Sequence, residues 1–170
     1  MDSIKVSDFN LAATLECGQF FRHRKEVYGK GKSRKTEYVI NHRQFIFRLR
    51  QEGNKLFFSG VPKEYIISFF RLDENYRHII RDISKDAFIK KAIKANYGMR
   101  IIRQDPWECL ISYICSANNN IPRITSNVRE ISKAFGKRLA KADDGVDIDS
   151  FAFPEPGRIN DHDALRACKV

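Results

Sequence analysis

Cysteine is scarce in this sequence and follows no metal-binding spacing. There are four cysteines among 170 residues, and none of them belongs to a CxxC pair. Zinc sites and iron–sulfur clusters need closely spaced cysteines or cysteines combined with histidines. We therefore expect no metal and no cofactor in this chain. Scattered cysteines also fit a reducing compartment, which predicts an intracellular protein.

Long apolar runs are absent as well. No stretch of about 18 or more apolar residues occurs, so the sequence predicts no transmembrane helix. The N-terminal segment Met1–Lys5 lacks the apolar core of a signal peptide. The sequence therefore gives no support to a membrane protein.

Acidic residues are outnumbered by basic ones. The sequence has 31 Lys and Arg against 21 Asp and Glu, a formal net charge of +10 at pH 7. Such an excess favours a polyanionic partner, of which nucleic acid is the commonest. Charge alone leaves open a basic soluble protein without such a partner. The run from Arg22 to Lys35, with seven Lys or Arg against one Glu, contains a turn that we expect to be a solvated loop.

The hydrophobic pattern changes from strand to helix along the chain. A short helix is predicted within Asp8–Cys17 and an extended segment within Phe20–Tyr28. Three β segments follow, and the alternation of apolar and polar residues in Gln44–Arg50 is typical of a half-buried strand in an antiparallel meander. From Pro62 to Gly98 apolar residues recur with helical period, which is more typical of a core than of a ligand site.

A sheet followed by helices predicts an α+β fold. We expect an N-terminal antiparallel-sheet domain with helices over residues 1–104, followed by an all-helical domain that starts at residue 105 and includes residues 105–170. The hydrophobic content of 42% is typical of a globular chain rather than a disordered one.

The second domain opens with a stretch that predicts two helices joined by three asparagines. Asp105 is a good N-cap, Pro106 suits the first helical position, and Glu108 completes the spacing of a capping box. Helical period predicts one buried face on the first helix, formed by Trp107, Leu110, Ile111 and Ile114. The next helix ends at Gly136, a C′ residue by its position. Its predicted buried face consists of Ile124, Val128, Ile131 and Phe135.

The joint between the two helices, Asn118–Asn120, is where we expect chemistry. Asparagine tolerates the left-handed conformation and caps helices, so one or two of these residues would only close the turn. Three in a row exceed what capping needs, and they lie beside a helix N-terminus, whose backbone N–H groups attract phosphate. Arg123 adds a planar cation in the next turn. For any single asparagine the capping role and the functional role both remain open.

Two segments resemble motifs of the 8-oxoguanine DNA glycosylase family. The stretch DPWECLISYICSANNNIPRIT, which starts at Asp105, is similar to the hallmark segment of that family. Upstream, the segment Gly18–Arg22 resembles its Gly-Gln-x-Phe-Arg motif. The order and spacing of the two motifs match, and the similarity extends along the whole chain. The resemblance implies a base-excision N-glycosylase and lyase whose partner is double-stranded DNA containing 8-oxoguanine opposite cytosine.

The same resemblance implies roles for individual residues. Asn118 would fill the gap that the extruded base leaves in the duplex, while Asn119 and Asn120 would support the turn. Arg123 would contact the orphaned cytosine. Gly18 would direct its backbone carbonyl at N7 of the lesion, which carries a proton in 8-oxoguanine and is an acceptor in guanine.

Catalysis requires groups that we do not find in this sequence. The family uses a nucleophilic lysine and an assisting aspartate in a helix-hairpin-helix segment, and no Leu-Pro-Gly-Val-Gly-like hairpin occurs in these residues. We therefore expect no catalytic residue in this chain. It resembles the N-terminal half of such an enzyme, with a C-terminal half as a further expected partner. Two hypotheses follow: a glycosylase/lyase whose remaining half lies elsewhere, or a non-catalytic DNA-binding module or gene remnant.

Overall fold

An antiparallel sheet forms the N-terminal part of the molecule. The structure is a computed structural model, and it describes residues 1–139 and 151–159. The strand order is β1-β5-β4-β3-β2, and every neighbouring pair is antiparallel. The predicted extended segment and meander are confirmed, whereas the short first strand was not predicted. The strands are β1 (Asp2–Lys5), β2 (His23–Tyr28), β3 (Lys35–His42), β4 (Phe45–Glu52) and β5 (Lys55–Ser59).

Six α-helices lie before and after the central strands in the described part of the chain. One helix precedes β2, three follow β5, and two more form a C-terminal pair within the described residues. The α+β fold expected from the sequence is therefore confirmed. The helices are α1 (Leu11–Leu15), α2 (Lys63–Phe69), α3 (Tyr76–Ile83), α4 (Ala87–Ala95), α5 (Pro106–Ser116) and α6 (Ile121–Phe135).

The main core lies between one face of the sheet and the helices α1 and α2. Side chains along a strand alternate between the two faces of a sheet, and the strands contribute Tyr38, Ile40, Phe47, Leu49, Leu56 and Phe58. The helices contribute Leu11, Leu15, Ile66 and Phe69. Each fully buried side chain of this size stabilises the fold by about 1.5–3 kcal/mol. Phe20 is 1% exposed in the same core, which anchors the Gly18–Arg22 segment.

Helices α3 and α4 do not belong to this core. Their apolar residues recur with the predicted helical period, yet Tyr76 is the only buried residue of α3, and α4 has none among its described positions. Ile79, Ile83 and Ile89 are 40%, 51% and 39% exposed. The prediction that these stripes are core is therefore wrong. The two helices instead line an open groove with them.

Helix α5 buries a different face from the one that its apolar residues indicate. The prediction is wrong for Leu110, which is 49% exposed, and for Ile114, which is 56% exposed. Trp107 and Ile111 of the predicted face are half-buried, and Ile111 packs against the core formed with α6. The buried residues lie on another side of the helix: Glu108, Ser112 and Cys115. The physical reason is an ion pair between Glu108 and Arg22 of the sheet domain, which apolar periodicity does not detect.

Helix α6 ends where predicted, and three of its four predicted buried residues are buried, whereas Phe135 is half-buried. Ile124, Val128 and Ile131 are buried in a second, smaller core between α5 and α6. Gly136 follows the helix with a φ of −81°, so it is not the left-handed C′ residue that we predicted. A Cβ atom there would overlap with the backbone carbonyl oxygen of Ala152. Glycine is therefore required by a close backbone approach.

The boundary predicted between residues 104 and 105 falls at the N-cap of α5 and stays a prediction. Residues 140–150 and 160–170 of the predicted second domain lie outside the described residues. None of the described helices has the length and apolar character needed to cross a membrane. Within residues 1–139 and 151–159, no three His, Cys, Asp or Glu side chains are grouped as a metal site would require.

Candidate nucleic-acid interface

The joint between α5 and α6 begins with a residue in the left-handed conformation. Asn118 has a φ of +53° and an exposed side chain. The left-handed region costs most residues about 1–2 kcal/mol, and asparagine is among the few that adopt it readily. No described residue forms a hydrogen bond with the Asn118 amide. Its side chain is therefore available to a ligand as far as the described residues are concerned.

The other two asparagines hold the turn together. The Asn119 Nδ2 donates to the Cys115 carbonyl oxygen at 2.9 Å, which satisfies a carbonyl in the last turn of α5. The Asn119 Oδ1 accepts from the Asn120 N–H at 3.0 Å, and the Asn120 Oδ1 accepts from the Arg123 N–H at 3.1 Å. Asn120 is therefore the N-cap of α6. Capping accounts for these two residues, and the left-handed backbone accounts for an asparagine at position 118, but the Asn118 amide itself has no role within the described residues.

Arg123 lies in the first turn of α6 with an exposed side chain. Within residues 1–139 and 151–159 its guanidinium has no ion pair and no hydrogen bond. Most basic residues of the β2–β3 region differ from it in this respect. Lys25 pairs with Glu16 at 2.9 Å, and Lys35 pairs with Glu52 at 3.5 Å. Exposed pairs like these contribute little to stability, but they reduce the positive charge that strands β2 and β3 would offer to DNA.

Gly18 lies beside the start of α6. Its φ is +84°, a conformation that glycine adopts without strain. A Cβ atom added to it would lie 3.0 Å from Cδ1 of Ile121, the first residue of α6. The two sequence motifs therefore meet in space: the glycine of the first motif packs against the residue that follows the three asparagines of the second.

Gln19 fixes the backbone around Gly18 from the other side. Its Nε2 donates to the carbonyl oxygens of Thr14 and Arg100, both at 2.8 Å. Its Oε1 accepts from the Ile102 N–H at 3.0 Å. The Gln104 Nε2 donates to the Gln19 carbonyl oxygen at 2.6 Å. Three of these four bonds join the first motif to the segment that leads into α5, and the fourth joins it to α1. Sequence analysis did not assign this role to Gln19.

A buried ion pair connects the end of the first motif with α5. Arg22 and Glu108 are 8% and 3% exposed, and their nearest charged atoms are 3.5 Å apart. The Arg22 Nη2 also donates to the Phe151 carbonyl oxygen. Burial raises the pKa of Glu108 to about 7, although the Arg22 guanidinium opposes the rise. Glu108 thus bonds to Arg22 and does not close the predicted capping box.

His42 takes the place of that capping-box contact. The backbone N–H of Asp105 donates to His42 Nε2 at 3.2 Å, so Nδ1 carries the proton and donates to the Tyr65 hydroxyl oxygen at 2.6 Å. Burial lowers the pKa of His42 to about 4, which keeps the ring neutral at pH 7. The Asp105 Oδ1 caps the N–H groups of Trp107 and Glu108 as predicted. His42 therefore has a structural role.

Comparisons with known proteins agree with this arrangement. The family model for the 8-oxoguanine DNA glycosylase N-terminal domain matches residues 3–110. The N-glycosylase/DNA lyase of Saccharomyces cerevisiae is 33% identical over 166 residues, which cover 90% of this chain and 43% of the yeast protein. The N-glycosylase/DNA lyase OGG1 of Arabidopsis thaliana is 37% identical over 89 residues, or 52% of this chain and 22% of the plant protein.

Solved structures extend the similarity to the whole described fold. MBOgg1 in complex with a low-affinity DNA ligand is 28% identical, with a TM-score of 0.84 over 98% of this chain and 56% of its own. The 8-oxoguanine glycosylase/lyase of Clostridium acetobutylicum in complex with double-stranded DNA containing cytosine opposite 8-oxoguanine is 26% identical. Its TM-score is 0.81 over 99% of this chain and 59% of its own. The chain thus spans less than half of the curated relatives and somewhat over half of the solved chains. On the family-model match and the fold it belongs to the 8-oxoguanine DNA glycosylase family, as its N-terminal part.

Proposed function

We propose that this chain supplies the sheet domain and the base-flipping joint of a base-excision N-glycosylase/lyase that removes 8-oxoguanine from duplex DNA. The observation that carries the proposal is the contact between Gly18 and Ile121. It brings the Gly18–Arg22 motif next to the Asn118–Asn120 joint, although the two are far apart in the sequence. A base extruded at the joint would therefore lie near the glycine that recognises it.

Asn118 is the residue that would fill the gap left by the extruded base. An enzyme that acts on a base inside a duplex must first take that base out of the stack, which costs about a few kcal/mol. A side chain inserted into the gap offsets part of this cost. The exposed Asn118 side chain, without a partner among the described residues, is free for insertion, while Asn119 and Asn120 hold the turn that presents it.

Arg123 would contact the cytosine that loses its partner. Cytosine presents acceptors at O2 and N3, and a guanidinium presents only donors. Arg123 lies three residues after the N-cap of α6, with its side chain exposed and unpaired among the described residues. The planar guanidinium group of an arginine can donate two hydrogen bonds to one base edge, which a flexible ammonium group does less well.

Gly18 would distinguish the lesion from guanine. Guanine N7 is an acceptor, whereas N7 of 8-oxoguanine carries a hydrogen and donates. A backbone carbonyl directed at N7 would bind the lesion and repel the normal base. Gly18 suits this role because its left-handed φ strains any other residue, and because a Cβ atom there would crowd the Ile121 Cδ1 atom at 3.0 Å.

Excision itself would need groups from outside these 170 residues. The sequence shows no helix-hairpin-helix segment with a nucleophilic lysine and an assisting aspartate. We infer that this polypeptide alone does not release 8-oxoguanine, and that a C-terminal half of the family fold completes the enzyme in an intracellular compartment. A non-catalytic DNA-binding module is the second candidate, which the net charge of +10 favours equally.

Binding to an abasic-site duplex, with cytosine opposite the site, tests the role of Asn118. Asn118→Gly removes the side chain and keeps a left-handed backbone. We expect it to bind intact duplex as the wild type does, and to lose about tenfold in affinity for the abasic duplex, or about 1.4 kcal/mol. Asn120→Ala removes the N-cap and lowers stability by about 0.5–2 kcal/mol, so it shows how far a weakened turn alone reduces the two affinities. Equal losses on both duplexes in Asn118→Gly would assign Asn118 to the DNA backbone.

A further inference from the structure

The groove between α3 and α4 is an apolar surface that the sheet core does not cover. It has a volume of about 540 Å³ and opens to solvent. Its walls are the apolar stripes of the two helices, and Ile101 extends it with 62% of its surface exposed. The wall residues are Ile79, Ile80, Ile83, Ile89, Ala92 and Ile93.

This exposure is unusual for a water-soluble surface. Single exposed apolar residues are normal, but a contiguous exposed patch marks an interaction site. The stripes recur with helical period on both helices, and residues of both stripes line one apolar channel. Such a channel accepts the apolar face of one more helix.

The charges beside the groove indicate which residues would flank the apolar face of the incoming helix. Lys90 follows Ile89, and Lys94 follows Ile93, so both lysines border the apolar stripe on the same side. Helix α4 contains three lysines and no acidic residue between Ala87 and Ala95. Within the described part of the chain these lysines form no ion pair. Acidic residues on the incoming helix would complement them.

Arg100 adds a buried cation to the groove lining. It is 7% exposed, and its Nη1 donates to the carbonyl oxygens of Arg71 and Glu74 at 2.8 and 3.2 Å. Its Nε is buried and has no acceptor among residues 1–139 and 151–159, and no carboxylate there forms an ion pair with it. A buried donor without a partner is costly. The positive charge of Arg100 adds to that of the lysines beside the groove and favours acidic residues on an occupant.

We propose that the α3–α4 groove seats an amphipathic helix with acidic flanks, supplied by the part of the family fold that these residues do not span. The inference rests on the proposed function, because it assumes that the rest of a glycosylase packs against this chain. The solved relatives leave room for such a segment: 98–99% of this chain corresponds to only 56–59% of theirs. An intramolecular helix of those proteins is the occupant that this surface fits.

Two synthetic helices test the proposal directly. Both are peptides of about 18 residues, or roughly five turns, with one Leu/Ala face; one carries glutamates on its flanks and the other carries lysines. Fluorescence anisotropy measures their binding to the 170-residue chain. We expect the glutamate peptide to bind at least about tenfold more tightly, and this preference to weaken as salt screens the charges. Equal binding of the two peptides, or no binding of either, would overturn the proposal.

Substitutions locate the binding to the groove. Ile83→Gln and Ile89→Gln place polar groups on its walls and keep good helix propensity, and we expect each to abolish most of the peptide binding. Phe88→Gln is the matched control: Phe88 is 87% exposed on α4 and is not part of the groove lining, so its loss should leave binding unchanged. Reduced binding in the control and not in the groove variants would contradict the assignment.

Two further measurements exclude other occupants. Light scattering detects a second copy of the chain in the groove as a dimer that Ile83→Gln dissociates. Flotation with vesicles of phosphatidylcholine and phosphatidylserine detects an anionic membrane as binding that the same variant removes. Either result would overturn the proposal in favour of that occupant. Asn118→Gly should weaken DNA binding and leave peptide binding unchanged. The peptide assay therefore tests the groove proposal separately from the proposed function, which the DNA assay tests.

Discussion

Gly18 and Ile121 are packed so closely that a methyl group on Gly18 would lie 3.0 Å from the Ile121 Cδ1 atom. This contact is where the two sequence motifs of the chain meet. The glycine is held by the Gln19 hydrogen bonds, and the isoleucine opens α6 directly after its Asn120 cap. A change at either residue should therefore affect both motifs.

Gly18→Ala is expected to destabilise the chain for two separable reasons. The left-handed backbone costs an alanine about 1–2 kcal/mol, and the new methyl group crowds Ile121. Ile121→Ala should relieve the second effect and leave the first. Urea unfolding of the two single variants and the double variant forms a double-mutant cycle. We expect the double variant to be more stable than the sum of the single effects, whereas strict additivity would mean that the two residues do not interact.

Glu108 is expected to make stability fall as the pH rises toward neutrality. Its pKa is about 7 in the folded chain against 4.5 as the ordinary value, so the folded state binds the proton more tightly. That stabilisation is complete below pH 4.5 and is lost as the pH rises to about 7, a loss on the order of 2–3 kcal/mol. His42 has the opposite effect, because its lowered pKa removes stability as the pH falls from 6.5 to about 4.

Glu108→Gln isolates the contribution of the carboxyl group. The free energy of unfolding of the wild type minus that of the variant should decrease between pH 5 and pH 7, because only the wild type carries the Glu108 carboxyl group. The contribution of His42 cancels in this difference, since His42 titrates in both proteins. Urea unfolding at several pH values measures it. A difference that stays constant over this range would mean that the Arg22 guanidinium keeps Glu108 ionised in spite of its burial.

The 170-residue polypeptide is expected to form no covalent adduct with damaged DNA. A glycosylase/lyase that uses a lysine forms a Schiff base with the sugar, and borohydride converts it to a stable crosslink. Incubation with an 8-oxoguanine:cytosine duplex and borohydride should give no crosslinked band and no strand cleavage. The yeast N-glycosylase/DNA lyase is the positive control. A crosslinked product would identify one of the lysines of this chain as a nucleophile and would refute our inference on catalysis.

The strands and several helix ends could be predicted because their causes are local. Alternating apolar residues specify the strand Phe45–Glu52, and the Asp105 side chain caps α5 wherever the rest of the chain lies. Short-range chemistry of the same kind explains Asn120 as a cap. These features depend on neighbours within a few residues, which a sequence displays directly.

The buried face of α5 and the surroundings of the joint could not be predicted, since both depend on distant partners. Glu108 is buried because Arg22 lies opposite, and Asp105 has its N–H bound by His42 rather than by a capping box. Likewise, Gly18 and Ile121 are far apart in the sequence, and only the fold brings them into contact. The resemblance to a family had already paired the two motifs, which no periodicity argument could have done.

The most direct test of the account is the opposite-base preference of Arg123 variants. Affinities are measured for abasic-site duplexes with cytosine or adenine opposite the site, at two salt concentrations. Arg123→Ala should lose the preference for cytosine, about 1–3 kcal/mol, with the salt dependence unchanged. Arg123→Lys should lose it too, because it keeps the charge but not the planar fork. If instead the cytosine preference survives in Arg123→Ala and the salt slope falls by about one unit, Arg123 binds phosphate and the joint does not read the orphaned base.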